Sequence, residues 1–354
     1  MKSRIPLLTV AVLFFFASTP SPAQTFEAIW EPPGPGAPTI NAISPNGNHV
    51  LFSYNDPNLG TLTYVWSKDS GVKEYGRIQY VDATTSVASI HPSVVSDDGR
   101  PSATGEAAVR PGDGQAWGQA YAWVDGAFSL IEVEGHTHRT AFPHSVGLVV
   151  SADGSTFTGR MRFPSDGSGQ FPNDGSKRYF LSKDGSAALF PTPPVGAKFV
   201  TGPAGESMTA DGGMVLGKIC DLFARNCEFA IWNGSEYIRS GLRAGNGESI
   251  GAAAISPTGT AALVGGMLWT GCPIADSLDM RLWPAGIFPT KVRAEGTMLF
   301  ARETGTNESG IWTTGTGFLN HEEAVREFLQ VPEGWTNMTV VDMSDDGTVW
   351  VGVG

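Results

Sequence analysis

Along most of the chain, apolar and polar positions alternate in short runs, and a turn cuts off each run. His49-Val50-Leu51-Phe52-Ser53 and Phe128-Ser129-Leu130-Ile131-Glu132 are two of them, and a period of two predicts strands. Helical spacing is scarce. It appears in His321-Glu322-Glu323-Ala324-Val325-Arg326-Glu327-Phe328-Leu329, where Ala324, Val325 and Phe328 share one side and Pro332 follows. A short structural helix is therefore predicted as an insertion over 321–329.

The runs are ordered by a repeated turn. Ser151-Ala152-Asp153-Gly154 has counterparts in Ser44-Pro45-Asn46-Gly47, Ser96-Asp97-Asp98-Gly99, Thr209-Ala210-Asp211-Gly212, Ser256-Pro257-Thr258-Gly259, the degraded Arg293-Ala294-Glu295-Gly296 and Ser344-Asp345-Asp346-Gly347. Their glycines stand 52, 55, 58, 47, 37 and 51 residues apart, which is the period of a β-repeat architecture. Gly99, Gly154, Gly212 and Gly347 are read as structural turn residues.

Each turn is followed by an apolar strand that ends in an aromatic. Tyr64-Val65-Trp66, Tyr121-Ala122-Trp123, Tyr179-Phe180-Leu181, Phe229-Ala230-Ile231-Trp232, Arg281-Leu282-Trp283 and Gly310-Ile311-Trp312 form the series, with leucine in the tryptophan place once. The last turn feeds Thr348-Val349-Trp350-Val351-Gly352 and has no aromatic strand after it. The missing partner, Phe26-Glu27-Ala28-Ile29-Trp30, precedes the first turn. Turns and aromatic strands thus pair off only in a ring. The expectation is an all-β, seven-bladed β-propeller closed by pairing of the N- and C-terminal strands, 26–30 beside 348–352. Trp30, Trp66, Trp123, Trp232, Trp283 and Trp312 hold equivalent places and are read as packing between blades.

Composition adds a compartment. Lys2 and Arg4 precede an apolar run over 7–17 that includes Phe14-Phe15-Phe16, and Ser21-Pro22-Ala23 supplies small residues, so 1–23 reads as an export signal cut after Ala23. Residues 24–354 are then one propeller domain, secreted or periplasmic. No later apolar run reaches the ~18 residues of a membrane span, so no integral membrane association is expected after cleavage. A net charge of −12, with 23 Lys and Arg that nowhere cluster, argues against nucleic acid and anionic membranes as partners. In an oxidising compartment Cys220 and Cys227 either join in a local disulfide or stay reduced, and Cys272 is read as a buried free thiol.

Chemistry is thinly signalled. The chain has no Gly-x-Ser-x-Gly elbow, phosphate-binding loop or His-Glu-x-x-His pair. His136 and His138, even with His91 or His144, make a weak metal set, and Asp97-Asp98 or Asp166 with Asp174 supplies only fragments of a calcium cage. No metal and no cofactor are expected. Trp117 and Trp269 lie outside the aromatic series, and the insertion over 164–176 is the most polar in the chain. Trp117, Asp166, Asp174 and Trp269 are therefore the candidate binding residues, on rim loops.

The ordered series of turns, glycine-ended strands and aromatic strands, with Phe229-Ala230-Ile231-Trp232 and Tyr121-Ala122-Trp123 as its nearest forms, resembles the HAF family of probable extracellular repeat proteins. That family's strand is typically written His-Ala-Phe-x-Trp, and here no histidine precedes the aromatic strands. The likeness is spread over most of 26–354. It implies an exported β-repeat protein and brings no catalytic set. The function expected is binding or structural, with recognition of a surface glycan or protein through propeller rim loops. The alternative is an extracellular polysaccharide hydrolase or lyase with carboxylates on the central rim. A non-enzymatic role is favoured.

Overall fold

A computed structural model of the chain describes residues 11–15, 26–30, 38–76, 79–80, 88–107, 117–124, 127–130, 146–162, 177–183, 186–191, 193, 197–201, 208–221, 225–243, 253–264, 267–270, 279–282, 286–293, 296–329 and 331–354. Asp166, Asp174, Cys272 and Trp283 lie outside the described residues, as does the expected cleavage point after Ala23.

The repeated turn has a local cause. The Ser151 hydroxyl donates to Asp153 Oδ1 at 2.6 Å and accepts from the Thr156 N–H at 3.0 Å, while the Gly154 N–H donates to the Ser151 carbonyl at 2.9 Å. One small side chain thus ties a carboxylate to the strand that leaves the turn. The same hydroxyl-to-side-chain bond, 2.6–2.8 Å long, recurs at Ser44, Ser96, Thr209 and Ser344. All of these hydroxyl residues are buried. The turn closes on a glycine with φ between +69° and +83°, in the left-handed region that a side chain disfavours.

On these turns the described strands form seven antiparallel sheets. Sheet II contains Thr39–Ile43, His49–Asp56, Gly60–Ser67 and Gly71–Gly76 in spatial order. Sheet III contains Ala88–Val95, Pro101–Ala107, Trp117–Val124 and Ala127–Leu130, with Gln79–Tyr80 added beside its first strand. Sheet IV is Val146–Val150, Thr156–Arg162, Lys177–Lys183 and Ser186–Leu189. Sheet V is Ala197–Thr201, Val215–Asp221, Glu228–Trp232 and Tyr237–Arg243. Sheet VI is Ala253–Ile255, Ala261–Val264, Met267–Thr270 and Asp279–Leu282, and sheet VII is Ile287–Arg293, Met298–Glu303, Ser309–Thr313 and Gly317–Asn320. In each, the first strand leads into the turn and the second leaves it.

Sheet I is built from both ends of the chain, and it corrects one expectation. Its order is Thr339–Met343, Val349–Val353, Ala11–Phe15 and Phe26–Trp30. Phe26–Trp30 shares a sheet with Val349–Val353 but does not pair with it. Ala11–Phe15, from the segment read as an export signal, lies between them and pairs antiparallel with both.

Register corrects a second expectation. In sheets II, V and VII the tryptophan of the third strand pairs with the residue three past the turn glycine, Trp66 with Val50, Trp232 with Val215 and Trp312 with Leu299. In sheet VI the residue in that place is Trp269, opposite Ala262. The second strand there is short, and only Gly265 and Gly266 separate it from the third. The aromatic strand therefore arrives early, and Trp283 falls past the end of the fourth strand.

Successive sheets bury their apolar faces against each other. Val349 and Val351 of sheet I pack with Phe52, Tyr54 and Trp66 of sheet II. Val215 and Trp232 of sheet V meet Val149 of sheet IV, and Leu216 and Ile231 meet Ile255 and Trp269 of sheet VI. Trp30 lies against Phe52, Tyr54 and Tyr64, with centroids 5.0, 5.6 and 5.2 Å away. The Cys220–Cys227 disulfide is formed and sits in the core shared by sheets V and VI.

The helix spans His321–Phe328. It starts on a capping box in which Asn320 accepts from the Glu323 N–H and Glu323 accepts from the Asn320 N–H. Ala324 and Val325 go into a core made with Phe300 and Ile311 of sheet VII and Met343 and Trp350 of sheet I. No helix among the described residues is long and apolar enough to cross a membrane.

The turns also touch one another. The Asp97 N–H donates to the Ala152 carbonyl at 2.7 Å, Ala152 to Ala210 at 2.6 Å, Ala210 to Pro257 at 2.8 Å, and Asp345 to Pro45 at 2.8 Å. Pro45 has no N–H to pass on, and the Asn46 N–H bonds Asp97 Oδ1 at 2.8 Å instead. Gly47, Gly99, Gly154, Gly212, Gly259 and Gly296 each lie against residues of the preceding sheet or its turn. A Cβ on Gly212 would stand 2.6 Å from Thr156 Cβ, and one on Gly47 would stand 2.6 Å from Val349 Cγ2. Gly212→Ala therefore combines an unfavourable φ with a clash, and we expect a loss of about 1–3 kcal/mol in urea unfolding. An unchanged midpoint would show that these turns do not hold neighbouring sheets together.

Candidate functional site

All seven sheets contribute to one cavity of about 170 Å³. Its wall is made by the first strands and the turns they enter. Five of those strands carry a bulge just before the turn, at Ile40/Ala42, Pro92/Val94, Val146/Val149, Pro289/Lys291 and Val340/Asp342. A bulge re-aims the residues beside it, and the residue two places before the turn lines the cavity at each of these five.

That position is where the repeat departs from itself. It holds Ala42, Val94, Val149 and Ala254 in sheets II, III, IV and VI, but Lys291 in sheet VII and Asp342 in sheet I. The turn of sheet VII also replaces the buried hydroxyl by Arg293. The three departures meet. Lys291 Nζ and Arg293 Nη2 each donate to Asp342 Oδ1 at 3.2 Å, and Arg293 Nε donates to the Met343 carbonyl at 3.0 Å. Arg293 Nη1 donates to the Val292 carbonyl at 3.1 Å. The guanidinium thus bridges sheets VII and I at the place where other turns use backbone bonds.

Burial pushes the Asp342 carboxyl up, but the Lys291 and Arg293 charges outweigh it and hold the group below the ordinary aspartate range. A carboxylate held ionised between two cations is a weak proton donor and a weak base, so the cluster is suited to fastening sheet VII to sheet I or orienting a charged ligand. Asp345 adds a second carboxylate to the cavity wall. The turn carboxylates are likewise used locally. The Thr209 hydroxyl, followed by the Gly213 N–H, lowers Asp211. Among the described residues no group of three or more metal-ligating side chains is gathered.

Of the expected binding residues, the structure describes Trp117 and Trp269, which belong to sheets III and VI. Trp269 is fully buried, at 0% exposure, between sheets V and VI. It fills the repeat's tryptophan place, which removes it from the rim. Trp117 opens the third strand of sheet III. Asp166 and Asp174 belong to the segment joining the second and third strands of sheet IV. These second-to-third connections are unequal: 108–116 in sheet III and 163–176 in sheet IV, against 57–59, 222–227, 265–266 and 304–308 in sheets II, V, VI and VII. The bracketing strand ends of the two long connections lie at one end of neighbouring sheets, opposite the repeated turns. The Lys291, Arg293 and Asp342 cluster was signalled only by the degraded turn.

No protein-family model matches the chain, and no curated protein does. Solved structures with some likeness include a putative TolB from Agrobacterium tumefaciens, with 12% identity over 98% of this chain and 97% of that one at a TM-score of 0.41. An oligogalacturonate lyase from Vibrio parahaemolyticus shares 10% identity over 98% and 97% of the two chains at 0.38. A dipeptidyl peptidase 4 from Porphyromonas gingivalis shares 11% over 84% of this chain and 50% of that one at 0.44.

The ionic cluster carries a pH signature. Asp342 has a lowered pKa in the fold, so its contribution to stability is complete above the ordinary value of 3.8 and is lost as pH falls below it toward the folded value. Asp342→Asn removes the carboxylate that buried Arg293 and half-buried Lys291 share, at a cost of about 3 kcal/mol at pH 7. The variant and parent unfolding midpoints should converge as pH is lowered below 4 in roughly the same window. A constant gap between pH 3 and 7 would assign the loss to something other than the ion pairs.

Proposed function

We propose that the chain is a seven-bladed β-propeller, closed by sheet I, that is exported and binds a surface glycan or protein. One observation carries the reading: a single cavity draws its wall from all seven sheets. The chain of hydrogen bonds from turn to turn and the Arg293 bridge from sheet VII to sheet I support closure.

The binding surface is the end opposite the repeated turns, where the connections of sheets III and IV are long. Together they hold Trp117 beside one connection and Phe163, Asp166, Phe171, Asn173 and Asp174 in the other. Aromatic rings to cover the C–H faces of a sugar and amides or carboxylates to bond its hydroxyls are the groups that a polysaccharide needs. The enzymatic alternative, a hydrolase or lyase with carboxylates on the central rim, gains no support from Asp342, which two cations hold ionised.

The test is capture of envelope polysaccharides on a glycan array by the full chain and by a combined Asp166→Ala, Phe171→Ala and Asp174→Ala variant. We expect the variant to lose at least about tenfold in affinity, roughly 1.4 kcal/mol, with an unchanged unfolding midpoint. Equal capture by both proteins would overturn this surface. Steady release of oligosaccharide would favour the enzyme.

A further inference from the structure

Sheet I holds a segment whose sequence belongs elsewhere in the repeat. Ala28-Ile29-Trp30 has the same three residues as Ala230-Ile231-Trp232, which form the third strand of sheet V. There all three are buried, at 0%, 0% and 7% exposure, and Trp232 pairs with Val215, three past the turn glycine. In sheet I the same triplet lies in the fourth strand, with Ala28 exposed and Ile29 and Trp30 half-buried. The third place is taken by Ala11–Phe15, and Phe14 is the residue opposite Trp350, three past Gly347.

Ala11–Phe15 also lies within the segment read as an export signal. We infer that removal of residues 1–23 vacates the third place of sheet I and that Phe26–Trp30 moves into it, setting Trp30 opposite Trp350. This rests on the exported-propeller reading for its biological setting. The vacated edge of Val349–Val353 would otherwise present unpaired N–H and C=O groups to water, a ready template for another strand.

The move reverses the strand end for end. Phe26–Trp30 is antiparallel to Ala11–Phe15, which is antiparallel to Val349–Val353, so it now runs parallel to the latter. An antiparallel pairing like those of sheets II and V requires the opposite direction. Trp30 is now level with Ala11 and Val353 and must reach the level of Trp350, about 10 Å along the strand and about 5 Å inward. The segment 31–38 joins it to Thr39 and spans up to about 30 Å when extended. A chain freed just before Gln24 has no N-terminal tether against the reversal.

The new register places Glu27 opposite Val353, whereas at present Ala11–Phe15 separates their strands, beyond disulfide reach. The experiment uses the full chain with Glu27→Cys and Val353→Cys and a protease site replacing residues 20–23, folded first and then cut. Peptide mass mapping separates the new bond from Cys220–Cys227 and Cys272. The expected result is an intramolecular 27–353 bond that rises from background before the cut to most of the chain after it. An absent bond, a bond between two chains, or a cut leader that stays seated in native mass spectrometry overturns the inference. The N-terminal residue of the protein recovered from an exporting host tests the export reading separately, since the cut made in vitro does not depend on it.

Discussion

The structure depends on a buried hydroxyl that reverses the chain within four residues. It donates to a carboxylate or amide and accepts from the strand that leaves, so both its hydrogen-bonding roles are filled away from water. The glycine that ends the turn meets two demands at once. Its φ lies in the left-handed region, and its missing side chain leaves room for the turn before it, as between Gly212 and Thr156. Turn formation and sheet-to-sheet packing are therefore one event. A side chain at the glycine would disturb both, which explains why the glycine persists in the turn where the hydroxyl is lost.

Arg293 shows what replaces that hydroxyl. Its guanidinium reaches from sheet VII to the Met343 carbonyl and the Asp342 carboxylate of sheet I, and Lys291 adds a second cation. Burying Arg293 and Asp342 costs desolvation energy that the ion pairs offset only because the donors find several acceptors. The benefit is directional. Backbone bonds between turns are nearly alike from one sheet pair to the next, whereas a guanidinium aimed at one carboxylate fits one neighbour. The joint so marked unites the last sheet with the one that contains both ends of the chain.

The legible parts of the sequence were those with local causes. Ser-x-Asp-Gly turns, alternating strands and the capped helix each depend on residues a few positions apart, and they stand where the sequence pattern puts them. Trp269 was misplaced because its sheet has a shortened second strand and a two-glycine connection, which shift the aromatic strand forward while leaving Trp283 as a decoy. The ionic cluster joins residues about fifty positions apart, so only the odd composition of one turn pointed to it. Ala11–Phe15 was illegible as a strand because its apolar run has the same composition as an export signal.

The two ends of the sheets are built under different constraints. At the turn end, glycine packing and bonds from one turn to the next leave little tolerance for insertion, and the turns keep one length. At the other end the lengths vary, and the connections run from two residues in sheet VI to fourteen in sheet IV. A purely structural repeat has no reason to lengthen two neighbouring connections and leave the rest short, because each added residue costs ordering entropy without adding core. Lengthening confined to sheets III and IV, rich in Gly and Asp with aromatics in or beside it, is the asymmetry on which the proposed binding surface rests. That asymmetry is the physical reason why the proposal reads the turn end as scaffold and assigns recognition to the opposite end.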